Sequence, residues 1–167
     1  MARRDSRAPV VAKEARSGGQ MVEQATHLLD LARHLVGEAD VVAARSATPE
    51  VPLLPGADVA DVAATLLEFP ARIPGTVTAT CALGGRSWIR LELVCTGLHV
   101  VVTQDAVRYD DGHVVREVRT QGDPFVAQNR AFLHAVRTGD RSRLYCDIED
   151  ALETHRLAHD VLEATAR

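Results

Sequence analysis

Apolar residues recur at helical spacing near the start of the chain, at alternating spacing through its middle, and at helical spacing again to its end. The stretch Ser17–Gly37 predicts one amphipathic helix. Ser17 and Gln20 have the spacing of a capping box, Leu28, Leu31/Ala32 and Leu35 form a core-facing stripe, and Gly37 stands where helices stop.

Asp40–Ser46 reads as a strand entering the core. Pro49, Pro52 and Pro55 then recur up to Gly56, which suits a surface loop better than a polyproline ligand motif. Four strands are expected next: Asp61–Phe69, Thr76–Cys81, Ile89–Cys95 and His99–Thr103. In the second, Val77, Ala79 and Cys81 share one face and Thr76, Thr78 and Thr80 the other. In the third, Ile89, Leu91, Leu93 and Cys95 oppose Arg90, Glu92 and Val94. Such alternation buries one face, as antiparallel sheets do. Gly84-Gly85 and Asp111-Gly112 supply tight turns, the second between weaker strands around Val107–Tyr109 and Val114–Val118.

Two helices close the pattern. Asp123-Pro124 is an N-cap followed by proline at the first helical position; Phe125, Asn129, Phe132, Leu133 and Val136 make one stripe, and Gly139 ends it. Asp147 caps a last helix carrying Ile148, Ala151, Leu152, Leu157, Val161 and Leu162. Helix, strands, then two helices is an α+β order: a mostly antiparallel open sheet with helices packed on one face. No internal repeat is found.

Composition narrows the class. The 167 residues suit one domain with a real core, and 46% apolar with 25% charged residues is ordinary for a soluble globular protein. A net charge of −4, with no basic stripe interleaved by aromatics, argues against nucleic acid as a partner. Residues 1–16 hold Arg3, Arg4, Arg7, Lys13 and Arg16 against Asp5 and Glu14, and read as a flexible basic tail before a body at 17–167. No run is apolar enough to span a membrane, and the N-terminus lacks the apolar stretch of a signal peptide. Cys81, Cys95 and Cys146 are odd in number and far apart, with the first two in strand patterns, so buried free thiols in a reducing cytoplasm are expected.

Glu23 and His27 are the constellation that looks like chemistry. A carboxylate one helical turn from an imidazole can hold the ring in one tautomer and raise its basicity, as a general acid/base near neutral pH needs. Gly18-Gly19 would let a ligand approach the backbone at the positive end of the helix. On spacing alone, however, such a pair is an ordinary feature of a helix surface. His155 and His159 share a helix face, but HExxH is absent and no third ligand is evident, so no metal is expected. Asp30, Arg33 and His34 read as charge support for the helix. No GxSxG, Walker loop or GxGxxG occurs.

The run Ser17-Gly18-Gly19 … Glu23-Gln24-Ala25-Thr26-His27-Leu28-Leu29-Asp30-Leu31 resembles the opening motif of the C-terminal domain of the glucose–fructose oxidoreductase / inositol dehydrogenase / rhizopine-catabolism (Gfo/Idh/MocA) family. That motif is a glycine triplet, a short gap, an acidic residue, three residues, His, two residues, Asp. Gln20 stands where a third glycine is commoner, and Glu23 where relatives often have Asp. Two further segments fit in order: Asp61–Phe69 with Gly75-Thr76-Val77, and Asp123-Pro124-Phe125 … Phe132 … Gly139 … Asp150-Ala151-Leu152 … His155. Together they cover about residues 17–165.

The resemblance implies an α+β domain that lines a substrate pocket and oligomerises through its open sheet, beside a Rossmann domain that binds NAD or NADP. It implies proton transfer by His27 and Glu23 on a sugar, polyol or related carbonyl compound, with Gly18, Gly19 and Gln24 at the substrate. The sixteen residues before Ser17 leave no room for a strand–GxGxxG–helix unit. The family's Glu-Lys-Pro lysine is unmatched, since the single lysine is Lys13 in Ala12-Lys13-Glu14. The expectation is therefore a substrate-binding and oligomerisation domain, inactive alone, that forms a homodimer or higher oligomer and is a fragment, a split-gene product or the partner of a separate Rossmann-domain chain. The alternative is a non-enzymatic module derived from that domain, which dimerises or binds a small ligand.

Overall fold

The computed structural model describes residues 17–48, 57–82 and 88–166. The basic tail, the Pro49–Pro55 loop and the Gly84-Gly85 turn lie outside those residues. The chain divides into two compact units, one of residues 1–86 with 149–167, the other of residues 87–148.

Among the described residues, the first unit opens on two short helices where one was expected, α1 (Gly19–Glu23) and α2 (Thr26–Val36). The Gln20 carbonyl accepts the N–H groups of both Gln24 (2.9 Å) and Ala25 (3.0 Å), and the second of these bonds spans five residues. This wide, π-type turn interrupts the helix. The Ala25 carbonyl then opens α2 by accepting from Leu28 and Leu29. The expected capping box does not form. Ser17 Oγ accepts from the Gly19 N–H at 3.1 Å, while the Gln20 side chain reaches away to the Asp61 carbonyl.

Strands β1 (Asp40–Ala47), β2 (Val62–Phe69) and β3 (Ile73–Thr80) form an antiparallel sheet in that order, with a bulge between Val41 and Ala43. On β2 the alternation is complete: Ala63, Thr65, Leu67 and Phe69 are buried, while Val62, Ala64 and Leu66 are exposed. On β3 the threonines Thr76, Thr78 and Thr80 are exposed as their spacing predicts. The last helix, here α4 (Ile148–Thr165), buries Thr154, Leu157, Ala158 and Val161.

The core of this unit joins the inner face of β2 and Ala44 to Met21, Ala25, Leu29 and Ala32 of the first two helices and to the buried side of α4. The buried stripe of α1 and α2 shares only Ala32 with the expected one. Leu28 and Leu31 are half-buried and Leu35 is 48% exposed, whereas Leu29 is fully buried. The segment is apolar on two sides, so periodicity fixes the helix but not which side turns inward.

The second unit holds a four-stranded antiparallel sheet in sequence order: β4 (Arg90–Cys95), β5 (Leu98–Thr103), β6 (Ala106–Asp110) and β7 (Val115–Arg119). The Asp111-Gly112 turn joins β6 to β7 as expected, with Asp111 Oδ1 accepting from the His113 and Val114 N–H groups. Helix α3 (Pro124–Thr138) starts at Asp123, whose Oδ1 accepts the Phe125 N–H at 2.8 Å, and stops at Gly139. Its stripe is not core: no residue of α3 is buried, and Phe125 is 73% exposed.

The cysteines carry free thiols. Cys95 is exposed rather than buried, because it ends β4 at the Thr96-Gly97 turn; Cys146 is exposed too, and Cys81 is half-buried. No helix among the described residues is long and apolar enough to cross a membrane.

Candidate active site

Gly18 and Gly19 lead into α1 with consecutive positive φ angles of 72° and 70°. A Cβ on Gly18 would lie 2.8 Å from the Val22 side chain, so both backbone angle and contact call for glycine here. The glycine pair thus has a local structural reason for its place, beside any role toward a ligand.

Glu23 is the last residue of α1 and His27 the second of α2, so the wide turn lies between them. Both side chains are exposed, as is Gln24 in the turn itself. No hydrogen bond or ion pair joins Glu23 to His27 among the described residues. The pair is therefore two solvent-facing groups on either side of a helix break, free to meet a ligand, and not a preformed carboxylate–imidazole couple.

One turn beyond His27 the chain is anchored firmly. Arg33 is buried, and its guanidinium binds Glu38 through two bonds, Nε to Oε2 at 2.8 Å and NH2 to Oε1 at 2.6 Å. It also donates to the Asp150 carbonyl (3.1 Å), to Asp150 Oδ1 (3.2 Å) and to Thr154 Oγ1 (2.5 Å). The Thr154 hydroxyl in turn donates a hydrogen bond to Asp30 Oδ1 at 2.7 Å. Asp30 and Arg33 so pin α2 to α4, a longer reach than the local helix support expected of them. The hydrogen bond from Arg33 holds Glu38 below the usual carboxylate range, and the hydrogen bond to Glu38 in turn raises the Arg33 pKa.

A second cluster was not visible in the sequence. The Asp61 carbonyl, at the head of β2, accepts from Gln20 Nε2 (3.1 Å) and from the Cys81 N–H (3.1 Å). Cys81 Sγ approaches Asp61 Oδ1 at 3.4 Å. Burial, then the hydrogen bond with Asp61, pushes the Cys81 thiol up, which makes it a poor nucleophile. Three residues 20, 61 and 81 share no motif, so the one signal available was polar residues inside otherwise apolar patterns.

The pocket beside Gly18 and Gly19 has a volume of about 30 Å³. A site for a whole ligand starts at roughly 300 Å³, so this one does not hold a sugar ring. Nor do the described residues suit a dinucleotide, which wants a parallel strand–helix–strand crossover with glycines at the first turn. Every strand pairing here is antiparallel. Of the two histidines on α4, His159 lies 3.6 Å from Glu163 and His155 is exposed without joining it.

Residues 2–100 match the family model described as the GFO/IDH/MocA C-terminal domain. A comparison with curated proteins finds no match. Among solved structures, the chain is similar to levoglucosan dehydrogenase in complex with NADH and levoglucosan, at 24% identity and a TM-score of 0.75 over 94% of this chain and 51% of that one. It is similar to UDP-N-acetylglucosamine 3-dehydrogenase from Acidithiobacillus ferrooxidans, at 17% identity and a TM-score of 0.73 over 98% and 50%. An oxidoreductase from Thermotoga maritima aligns at 16% identity with a TM-score of 0.74 over 99% and 48%. The chain spans about half the length of the structures it matches.

Proposed function

The chain belongs to the GFO/IDH/MocA family, whose C-terminal domain it matches, and on that premise we propose that it is the substrate-side half of an NAD(P)-dependent sugar or polyol dehydrogenase. The observation that carries this reading is the placement of His27 and Glu23. They are exposed polar groups on a segment whose next turn is locked by Arg33 and Thr154. A proton-transfer group needs access to ligand on one side and a fixed backbone on the other.

In this reading His27 takes the proton from a substrate hydroxyl when it becomes a carbonyl, and returns it in the reverse direction. Glu23 orients the imidazole once a ligand draws the two together, and Gly18, Gly19 and Gln24 border the substrate. The nicotinamide cofactor, which would accept the hydride, is held by a Rossmann domain outside these 167 residues, and these residues by themselves are inactive. The named ligands of the levoglucosan dehydrogenase structure, NADH and levoglucosan, support that class of substrate and cofactor. The outer face of the three-stranded sheet, with Ala64, Leu66, Thr76 and Thr78 exposed, is the dimer surface. Its centre is β-favouring and uncharged, with Arg45 beside Ala64 and Glu68 opposite Asp40 toward one end, and that centre suits a second sheet.

Two measurements test the reading. Titration of the isolated chain with NADH, followed by fluorescence, is expected to show no micromolar binding; a micromolar constant would refute the division of labour. In the enzyme completed by its GxGxxG-bearing Rossmann domain, His27→Ala should lower turnover about 100-fold or more, the usual worth of a general acid/base. Turnover near that of the unaltered chain removes His27 from the chemistry.

A further inference from the structure

Helix α4 carries a stripe of exposed side chains that can coordinate a metal. His155, His159 and Glu163 follow one another at single-turn spacing, and Asp160 stands next to His159; all four are exposed. The spacing of the two histidines offers no third ligand, but the structure gathers two carboxylates beside the second of them. One donor atom each of His159, Asp160 and Glu163 lies within 4.8 Å of the other two, and His159 Nδ1 stands 3.6 Å from Glu163 Oε1. Among the described residues no lysine or arginine pairs with either acid. The last turn of α4 holds no basic residue, and Arg156, one turn before Asp160, pairs with Glu153 instead. The negative end of the helix dipole falls at the same turns, where it favours a cation.

We propose that His159, Asp160 and Glu163 form a surface site for a divalent transition-metal ion of the zinc type, with His155, one turn away, as the nearest further donor. The donor set selects that class. One imidazole nitrogen with two carboxylate oxygens suits Zn²⁺ and its neighbours in softness. Ca²⁺ and Mg²⁺ want oxygen ligands alone, and more of them, while no thiolate is present to favour a softer ion. Zinc–donor bonds of about 2.0–2.2 Å set neighbouring donors roughly 3.3 Å apart. Exposed side chains can close the remaining gap by changing rotamer. The backbone that carries them is held meanwhile by the buried Leu157, Ala158 and Val161 of the same helix.

The site does not depend on the proton-transfer reading of His27, and its test uses no activity. Calorimetric titration of the tag-free full chain with zinc chloride, in a buffer that does not chelate, is expected to give micromolar binding at one site. Magnesium chloride at the same concentrations should give none. His159→Ala should weaken Zn²⁺ binding about 10-fold or more, and Asp160→Asn and Glu163→Gln should each weaken it several-fold. All three positions are exposed, and circular dichroism checks that each variant keeps its fold. In NMR spectra the His159 ring signals should move first among those of the seven histidines. No binding of Zn²⁺, equal binding of Mg²⁺, or an affinity that survives His159→Ala would overturn the proposal. So would either carboxylate variant that leaves the affinity unchanged, since the acids would then stand outside the site.

Discussion

Thr154 donates to Asp30 at 2.7 Å while it accepts from Arg33 at 2.5 Å, so one buried hydroxyl joins a carboxylate and a guanidinium across two helices. Hydrogen bonds to charged groups are worth about 1.5–3 kcal/mol each, and an orphaned charge costs more than its bond was worth. Thr154→Val keeps shape and removes the hydroxyl. It should lower unfolding stability by roughly 2–4 kcal/mol, whereas Thr154→Ser should recover most of that. Urea denaturation with an unchanged m-value checks both, and a Val variant within 0.5 kcal/mol of the parent contradicts the relay.

Acid should weaken the fold. Glu38 is held below its ordinary value of 4.5 by the hydrogen bond from Arg33, and Asp140 is pushed down to about 2, chiefly by the Ser142 N–H. A carboxylate whose folded pKa is depressed adds stability above its unfolded pKa and loses it as pH falls through the folded one. Stability should therefore be flat above pH 5 and decline between about 4.5 and 2. Denaturation midpoints at pH 6 and pH 3 measure this; equal midpoints would contradict it. NMR titration of Asp140 should place its own midpoint near 2.

The hairpin between β2 and β3 stores strain and close contact in adjacent places. Ala71 has φ 59° and ψ 23°, and Arg72 has φ 62°, both in exposed positions. Asparagine tolerates this conformation better than alanine, so Ala71→Asn should raise stability by about 0.5–1 kcal/mol. At Gly75, a Cβ would stand 2.5 Å from the buried ring of Phe69. Gly75→Ala should cost about 1–3 kcal/mol. Thermal melts of the two variants should move in opposite directions.

The exposed pair and the open sheet face should be separable from folding. His27→Ala and Glu23→Gln should each shift stability by less than about 0.5 kcal/mol, as exposed substitutions do. A larger loss would mean that they hold structure. Leu66→Glu on the outer face of β2 should leave the monomer folded and yield a monomeric mass by light scattering, with a dimeric mass expected of the parent. An unchanged mass would move the dimer surface elsewhere.

The strands were legible because their alternation is strict. Thr76, Thr78 and Thr80 stand outward and Ala63, Leu67 and Phe69 inward, as two-residue periodicity requires. Turn and cap chemistry at Asp111-Gly112, Asp123-Pro124 and Gly139 was equally direct. The first helix was harder. Its break at Gln24–Ala25 carries no proline or glycine, and depends on one carbonyl accepting two N–H groups. The pairing of Thr154 with Asp30 and Arg33 joins residues 124 and 121 positions apart, which no spacing rule detects. Glu23 and His27 were found through a family motif; the structure adds where they stand and what anchors the turn below them.

The absence of any buried residue between positions 88 and 148 among those described has a dynamic meaning. Amides of β4–β7 are closed by ladder hydrogen bonds alone, with no sealed side chains beneath to make their opening cooperative. In deuterium exchange this stretch should label first and shallowly, while β2 and α4, which carry Leu67 and Val161, exchange last. Whatever molecule covers that sheet and α3 will register there as protection gained, which makes exchange a means of finding it.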